Sequence, residues 1–205
     1  MFYDYLLEKY GYNEPIILNE ISYKDYSRSW IFKELNKLCE SNSLIRYESG
    51  VYYIPTQTIL GPSILNPRKV IERKYIRTDN DIIGYYSGST FLNQLGISTQ
   101  MPNTIEIYTN NERAQVRNVV VGKQKVILRK ARTPITQENV AVQSFLELMN
   151  SVQPSFFDDD RKQIVEDFII QNGISRRDIT QYSEKFPAST MRTLVQSEVI
   201  YCVTQ

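Results

Sequence analysis

Histidine is absent from this chain of 205 residues, which removes the side chain that most often serves as a general base or a metal ligand near neutral pH. Ser-His and Cys-His nucleophile pairs are excluded for the same reason. Cysteine occurs twice, at Cys39 and Cys202, and both positions lie in apolar surroundings. We expect these two cysteines to be buried thiols of a reducing compartment.

Long apolar runs are also missing. No uninterrupted stretch approaches the roughly 18 apolar residues that a membrane span requires. The first residues, Met-Phe-Tyr-Asp, show neither a basic nor an apolar leader segment. We therefore expect an unprocessed cytoplasmic protein that does not enter a membrane. Hydrophobic residues make up 41% of the chain and charged residues 23%, which is typical of globular proteins.

The net charge is only +1, but the charges are unevenly distributed. Residues 1–60 carry 6 Lys and Arg against 8 Asp and Glu, residues 61–150 carry 12 against 7, and residues 151–205 carry 6 against 8. If the chain binds DNA, part of its attraction to phosphate must come from the basic middle segment.

Residues 27–55 predict one amphipathic helix followed at once by a hairpin. With about 100° per residue on a helical wheel, polar and apolar side chains separate onto two faces. The polar face holds Ser29, Lys33, Asn36 and Glu40, and the apolar face holds Ile31, Phe32, Leu35, Leu38 and Cys39. Ser27 is the expected N-cap. Residues 44–47 and 51–54 predict two strands, and Gly50 supplies the turn between them.

A helix with a polar outer face, followed by a short hairpin, is typical of a winged helix-turn-helix. In that fold the helix enters the major groove of DNA and the hairpin, called the wing, contacts the adjacent backbone. The polar groups suit this role: Ser29, Lys33, Asn36 and Lys37. Glu34 and Glu40 would repel phosphate, and any small α+β domain shows the same periodicity, so a structural role is also open.

The whole chain predicts an α+β protein of two domains. We expect residues 1–58 to form the winged helix-turn-helix and residues 56–63 to include the connector. Residues 64–205 are expected to form a mixed α/β domain, with a basic core at 64–150 that holds a small antiparallel sheet and a mainly helical tail at 151–205. The main elements expected in this domain are a helix at 67–75, a helix at 90–95, strands at 104–109, 116–121 and 125–132, a helix at 140–149 and a closing strand at Val199–Val203.

The last strand of the predicted sheet ends in a run of cations, Arg129, Lys130 and Arg132. Other cations lie close by in the sequence: Arg113, Arg117, Lys123 and Lys125. This set predicts a basic sheet edge that contacts phosphate. The alternative is that these cations only prevent edge-to-edge pairing of strands.

The sequence offers little for catalysis. Gly88-Ser89 resembles the start of a polymerase-β-type nucleotidyltransferase site, which needs two carboxylates about ten residues downstream to hold Mg²⁺. Residues 99–101 are Thr-Gln-Met, so that position holds no carboxylate. The acidic run Asp158–Asp160 is expected at a helix N-terminus rather than at a metal. Phosphate-binding glycine loops are missing, so we expect no catalytic residue, no metal ligand and no cofactor.

Three segments carry a resemblance to a known family. They are WIFKELNKLCESNSLIRYESGVYYIP, YYSGSTFLNQLGISTQMPNTIEIYTNN and KVILRKAR. The chain resembles the AbiEi-type antitoxins of type IV toxin-antitoxin (abortive infection) systems over nearly all of its length. The resemblance implies a transcriptional autoregulator whose winged helix-turn-helix binds operator repeats. It also implies a C-terminal antitoxin domain that counteracts a nucleotidyltransferase toxin without forming a stable complex.

Together with the residue patterns, this resemblance assigns DNA binding to the helix, the wing and the basic strand. The expected DNA-binding residues are Arg28, Ser29, Lys33, Asn36 and Lys37 on the helix, Arg46 and Tyr47 in the wing, and Arg129, Lys130 and Arg132 on the strand. The expected partners are double-stranded operator DNA and the toxin. We expect a monomer or a weak dimer.

Two other classes of function remain open. A non-catalytic protein-interaction module on a winged-helix scaffold would co-purify with a partner at any salt concentration and would not shift DNA. A degenerate nucleotidyltransferase would bind a nucleoside triphosphate together with Mg²⁺.

Overall fold

The computed structural model describes residues 1–203, without the side chain of Cys202, so the expected thiol at Cys202 lies outside the described residues. The chain forms two compact units, Met1–Lys74 and Tyr75–Gln205. Both contain helices and strands, as expected for the α+β class. Within residues 1–203, none of the helices combines the length and the apolar character that a membrane crossing needs.

Among its described elements, the first unit has three α-helices, a three-stranded sheet and a short hairpin. Its elements are α1 (Phe2–Tyr10), β1 (Ile16–Ile17), a 3-10 turn (Leu18–Glu20), α2 (Arg28–Glu40), β2 (Ile45–Glu48), β3 (Val51–Tyr53), β4 (Gln57–Thr58), β5 (Gly61–Pro62) and α3, which begins at Pro67 and ends at Tyr75. Strand β3 pairs antiparallel with β1 and with β2, so the sheet order is β1-β3-β2. The buried core side chains are Phe2, Leu6, Ile16, Ile21, Ile31, Leu35, Leu44, Tyr52 and Ile54.

Helix α2 follows its sequence pattern with two exceptions, of which the first is Cys39, expected as a buried thiol but only half-buried. The Ser27 hydroxyl accepts a hydrogen bond from the backbone N–H of Trp30 at 3.3 Å, which confirms the predicted N-cap. Ile31 and Leu35 are buried. Phe32 was expected on the buried face but is 42% exposed, because its position on the helical wheel lies next to Asn36 at the border of the polar face.

The predicted connector is not a simple linker. Its residues form the antiparallel strands β4 and β5, which make a second short hairpin. The Tyr53 hydroxyl donates to the Ser63 carbonyl at 2.9 Å, and the Thr56 N–H donates to the Ser63 hydroxyl at 2.9 Å. These bonds tie both ends of the hairpin to the end of β3, so the chain stays in the first unit at this point.

Helix α3 also belongs to the first unit up to Lys74, although we expected it in the second domain. Three of its cations pair with carboxylates that come earlier in the same unit. The pairs are Lys69 with Glu14, Arg73 with Glu20 at 2.5 Å, and Lys74 with Glu48 at 2.6 Å. These contacts explain why the division falls after Lys74 rather than at 58–64. Residues 1–74 carry 10 Lys and Arg against 9 Asp and Glu, so α3 removes the acidic excess of this unit.

The second unit combines one sheet with a group of helices. Its elements are β6 (Gly84–Ser87), α4 (Gly88–Gln94), β7 (Thr104–Thr109), β8 (Val116–Val121), β9 (Gln124–Lys130), α5 (Val140–Ser151), α6 (Asp159–Gln171), α7 (Arg176–Ser183), α8 (Ala188–Gln196) and 3-10 turns at Pro154–Phe156 and Val199–Cys202. The sheet order is β6-β7-β9-β8. The expectation of an antiparallel sheet was wrong for one pair: β9 inserts between β7 and β8 and runs parallel to β7.

The helical tail is confirmed, but its closing strand is not. Residues Val199–Cys202 form a 3-10 turn. Val199 and Val203 are buried among the helices, while Tyr201 between them is 74% exposed. A strand would place all three side chains on the same face. The spacing of four residues between the two valines is instead that of a helical turn.

Gly84 is the first residue of β6, and the backbone atoms of Tyr75 and Tyr108 lie very close to it. A Cβ atom on this residue would overlap the carbonyl oxygen of Tyr75 and would lie 2.7 Å from that of Tyr108. Both atoms belong to the backbone and cannot turn away, so glycine is required here. This close approach fixes the first strand of the sheet beside β7.

Candidate functional site

The polar face of α2 is open to solvent. Ser29, Lys33 and Lys37 are exposed, and Asn36 is half-buried. The Lys37 ammonium lies 2.5 Å from the Glu34 carboxylate. In the described part of the chain, Lys33 has no ion pair or hydrogen bond of its side chain. Lys33 is therefore the cation of this face that is free to meet an anionic partner.

The start of α2 is held by stacked aromatic rings. The rings of Tyr26 and Trp30 are 3.9 Å apart with an interplanar angle of 18°, and Tyr23 stacks on Tyr26 at 5.7 Å. Phe2 packs edge-on against Trp30 at 5.5 Å. Such contacts fix the orientation of the first turn and hence the direction of its polar side chains. Arg28, in the same turn, is exposed and donates to the side chain of Asn19.

The two expected wing residues differ in their availability. Arg46 is exposed. The hydroxyl of Tyr47 is buried and has no hydrogen-bond partner within residues 1–203, and burial raises the pKa of Tyr47. The turn between β2 and β3 is also held in place, because the carbonyl of Gly50 accepts from the N–H of Leu18 at 2.9 Å. In this conformation the Tyr47 hydroxyl is not positioned to contact a phosphate, whereas Arg46 is.

The cations of the basic strand also differ from one another. Lys130 is exposed, while Arg129 is half-buried and its Nη2 lies 3.5 Å from the Glu106 carboxylate. Arg132 donates from Nε to Glu147 at 3.0 Å, and its guanidinium lies 4.9 Å from the centre of the Phe186 ring. Arg132 is thus held by a carboxylate and a ring, whereas Lys130 is exposed to solvent.

Glu147 is the centre of a buried polar network. Its carboxylate accepts from the Tyr108 hydroxyl at 3.1 Å, from the Asn150 amide at 2.9 Å and from Arg132. Burial raises the pKa of Tyr108 to about 12, and the negative charge of Glu147 adds to this shift. Burial also raises the pKa of Tyr85 well above its usual value, again with a contribution from Glu147.

This network predicts a loss of stability in alkaline solution. An unfolded tyrosine ionises near pH 10, whereas folded Tyr108 keeps its proton to about pH 12. Between these values the unfolded chain binds fewer protons than the folded chain, so the free energy of unfolding falls as the pH rises. The contribution of Tyr108 is present below about pH 10, and we expect roughly 2 kcal/mol to be lost by about pH 12. Urea unfolding over this pH range, compared with Tyr108→Phe, measures the effect, and an equally steep decline in the variant would contradict the assignment.

The cations at the end of β9 line one side of an open cleft of about 420 Å³. Arg129, Lys130 and Arg132 meet Lys185 there, together with the side chain of Gln115. Sequence analysis did not group Lys185 with this strand, because Lys185 lies more than 50 residues further along the chain, after α7. Four cations around one concavity form a surface suited to phosphate.

In the structure a carboxylate, that of Glu106, lies close to Gly88. The sequence pattern had shown no carboxylate at the expected positions, residues 99–101. A Cβ atom on Gly88 would lie 3.3 Å from the Glu106 carboxyl group. Glu106 lies opposite Ser87 in the β6–β7 pair, and the alternation of β7 was the available signal for it. Arg129 faces this carboxylate. In the described part of the chain, no three Cys, Asp or Glu side chains cluster closely enough to hold a metal ion.

Most of the chain matches one protein family. Residues 14–153 match the family described as "Family of unknown function (DUF6088)", which is more than half of the chain. The chain belongs to the DUF6088 family. No curated protein and no solved structure matches it. The DUF6088 region includes α2, the β2–β3 hairpin and the basic strand, whereas Lys185 lies outside it.

Proposed function

We propose that this DUF6088 protein is a DNA-binding regulator of its own operator, with the first unit as a winged helix-turn-helix and α2 as its recognition helix. The observation that carries the proposal is the solvent-exposed face of α2. Short polar groups near the start of the helix are followed there by Lys33 and Lys37, and among the described residues 1–203 the Lys33 side chain has no ion pair or hydrogen bond. Such side chains suit the base edges and phosphates of a major groove.

The topology of the first unit supports the same proposal. A helix is followed by β1, a short turn, α2 and a hairpin, and the sheet order is β1-β3-β2. This is the order in which a winged helix places its recognition helix beside its wing. Exposed Arg46 on β2 would contact the DNA backbone. The ion pairs of α3 also remove the acidic excess that weighed against phosphate binding.

The second unit would add phosphate contacts through its basic cleft. Lys130 and Lys185 are exposed there, and Arg129 and Arg132 are half-buried. Contacts of this kind strengthen DNA binding without reading sequence. They complement the base contacts assigned to α2.

An antitoxin role completes the proposal and is based on the resemblance to AbiEi-type antitoxins. The protein would act in the cytoplasm and counteract a nucleotidyltransferase toxin without a stable complex. Co-expression with a nucleotidyltransferase encoded in the same operon tests this role. Rescue of growth would support it, and continued toxicity at matched expression would contradict it.

DNA binding by α2 makes a quantitative prediction. The double substitution Lys33→Ala and Lys37→Ala should weaken binding to the DNA upstream of the coding sequence by about 10-fold or more, since each phosphate contact is charge-assisted. Each lost contact should also flatten the slope of log affinity against log salt by about 0.9. A gel shift repeated at several salt concentrations measures both quantities.

Lys9→Ala provides the matched control, because Lys9 is an exposed lysine of the same unit on α1. It should leave the affinity and the slope unchanged. If the double variant behaves like this control, α2 is not the DNA-binding helix. Absence of any shift, combined with a protein partner that co-purifies at high salt, would replace the proposal with an interaction module.

A further inference from the structure

The β4–β5 hairpin carries the most exposed apolar side chains of the first unit. Ile59 and Leu60 at its tip are fully exposed, and Ile64 just after it is 89% exposed. Monomeric proteins rarely leave neighbouring large aliphatic side chains entirely in water without a functional reason. The tip therefore needs an explanation beyond folding, because it contributes nothing to the core of its own unit.

The backbone of the tip is held by hydrogen bonds of the Thr58 side chain. The Thr58 hydroxyl donates to the Gly61 carbonyl at 2.6 Å and accepts from the N–H of Leu60 at 3.2 Å. At the base, the Asn13 amide donates to the Thr56 hydroxyl at 3.1 Å. A preorganised hairpin loses little conformational entropy when its tip becomes buried in an interface.

Charge indicates what kind of partner this surface can accept. From Ser49 to Pro67 the sequence contains no Lys, Arg, Asp or Glu. A surface that inserts into DNA or lies on an anionic membrane depends on cations around its apolar groups. A surface that pairs with its own copy across a two-fold axis must avoid repeated charges of one sign, since the same patch faces itself. An uncharged apolar patch meets this requirement.

We propose that the tip of the β4–β5 hairpin is a self-association surface whose partner is the same hairpin of a second copy. The two exposed aliphatic side chains of the tip, and that of Ile64 after the hairpin, each offer roughly 100 Å² of apolar surface. Their sum is well below the ~800 Å² per partner of a standard stable interface. The dimer is therefore weak and forms with increasing concentration. It also presents two copies of α2 related by a two-fold axis, as required to read inverted half-sites.

Sedimentation of the full chain without DNA tests the proposal, independently of whether the protein binds DNA. Between about 10 μM and about 1 mM the average mass should rise from the 24.0 kDa of the monomer towards that of the dimer. The double substitution Ile59→Ser and Leu60→Ser should raise the dimer dissociation constant by about 10-fold or more. Its far-UV circular dichroism should be unchanged, because the tip packs against nothing. The swap Ile59→Leu and Leu60→Ile should keep the dimer.

The matched control is Ile170→Ser, which changes a 60% exposed isoleucine on α6 and should associate like the wild type. Three results would overturn the proposal. The first is a wild type that stays monomeric up to the highest concentration, and the second is a serine variant that dimerises as strongly as the wild type. The third is a serine variant that loses DNA affinity with its self-association intact, which would assign the tip to DNA.

Discussion

Replacing Glu147 with alanine is expected to lower the free energy of unfolding of the second unit by about 3 kcal/mol. The substitution removes the buried partner of Arg132 and leaves the hydroxyl of Tyr108 without its acceptor. The side chain of Glu147 is 7% exposed and that of Arg132 is 26% exposed. An arginine left partly buried without its counter-charge costs more than the pair itself contributed, because its desolvation is no longer compensated.

The measurement needs a signal that belongs to the second unit. The only tryptophan, Trp30, lies in the first unit, so its fluorescence does not report this transition. Hydrogen exchange of the backbone amides of β9 and α5, measured in urea, does report the unfolding of the second unit. Glu198→Ala is the matched control, because Glu198 pairs with Lys162 at 3.1 Å on the surface and should contribute less than about 1 kcal/mol. Equal effects of the two substitutions would show that the Glu147 network is not a determinant of stability.

The same network allows the structural role of Arg132 to be separated from the role in DNA binding that we propose for it. Arg132→Met alone leaves Glu147 buried and unpaired, so any loss of DNA affinity could arise from partial unfolding. The combination Arg132→Met with Glu147→Leu replaces both charges with apolar groups and should recover much of the stability. DNA affinity measured in that background reports the phosphate contact of Arg132 alone.

Local patterns predicted the elements correctly where one segment determines its own structure. Ser27, the periodicity of α2 and the turn at Gly50 gave the helix and hairpin of the first unit, because caps, periodicity and turn residues act over a few positions. The predicted connector was wrong because its residues pair with one another as a hairpin, and because Tyr53 and Asn13, which lie outside it, hold that hairpin in the first unit. The parallel β7–β9 pair was missed for the same reason, since strand order depends on the whole unit.

Charge patterns were informative about composition but not about pairing. The acidic excess of residues 1–60 argued against DNA binding until the structure paired Glu14, Glu20 and Glu48 with α3. Arg132 had the same sequence signature as Lys130, yet only Arg132 is held by a buried carboxylate. Which cations remain available to a ligand is decided by tertiary contacts, and a single sequence does not encode these in its local pattern.

The final prediction uses two neighbouring residues of α2 to separate folding from recognition. Leu35→Ala removes a side chain with no solvent exposure from the core of the first unit, and we expect a loss of about 3 kcal/mol. A unit of this size has a small margin of stability. The fluorescence transition of Trp30 should therefore shift to much lower urea concentrations, and DNA binding should be lost with the fold.

Phe32→Ala is the matched substitution on the same helix, three residues earlier and 42% exposed. It should change the stability of the first unit by less than about 1 kcal/mol. Phe32 borders the polar face, so in the DNA-binding mode that we propose its ring would contact apolar base edges such as the thymine methyl group, and DNA affinity should fall several-fold. Urea unfolding followed by Trp30 fluorescence measures the stability of both variants, and gel shifts measure their DNA affinity. If Phe32→Ala binds DNA like the wild type, this border of α2 lies outside the interface, and if it destabilises the unit as much as Leu35→Ala, the assignment of buried and recognition faces is wrong.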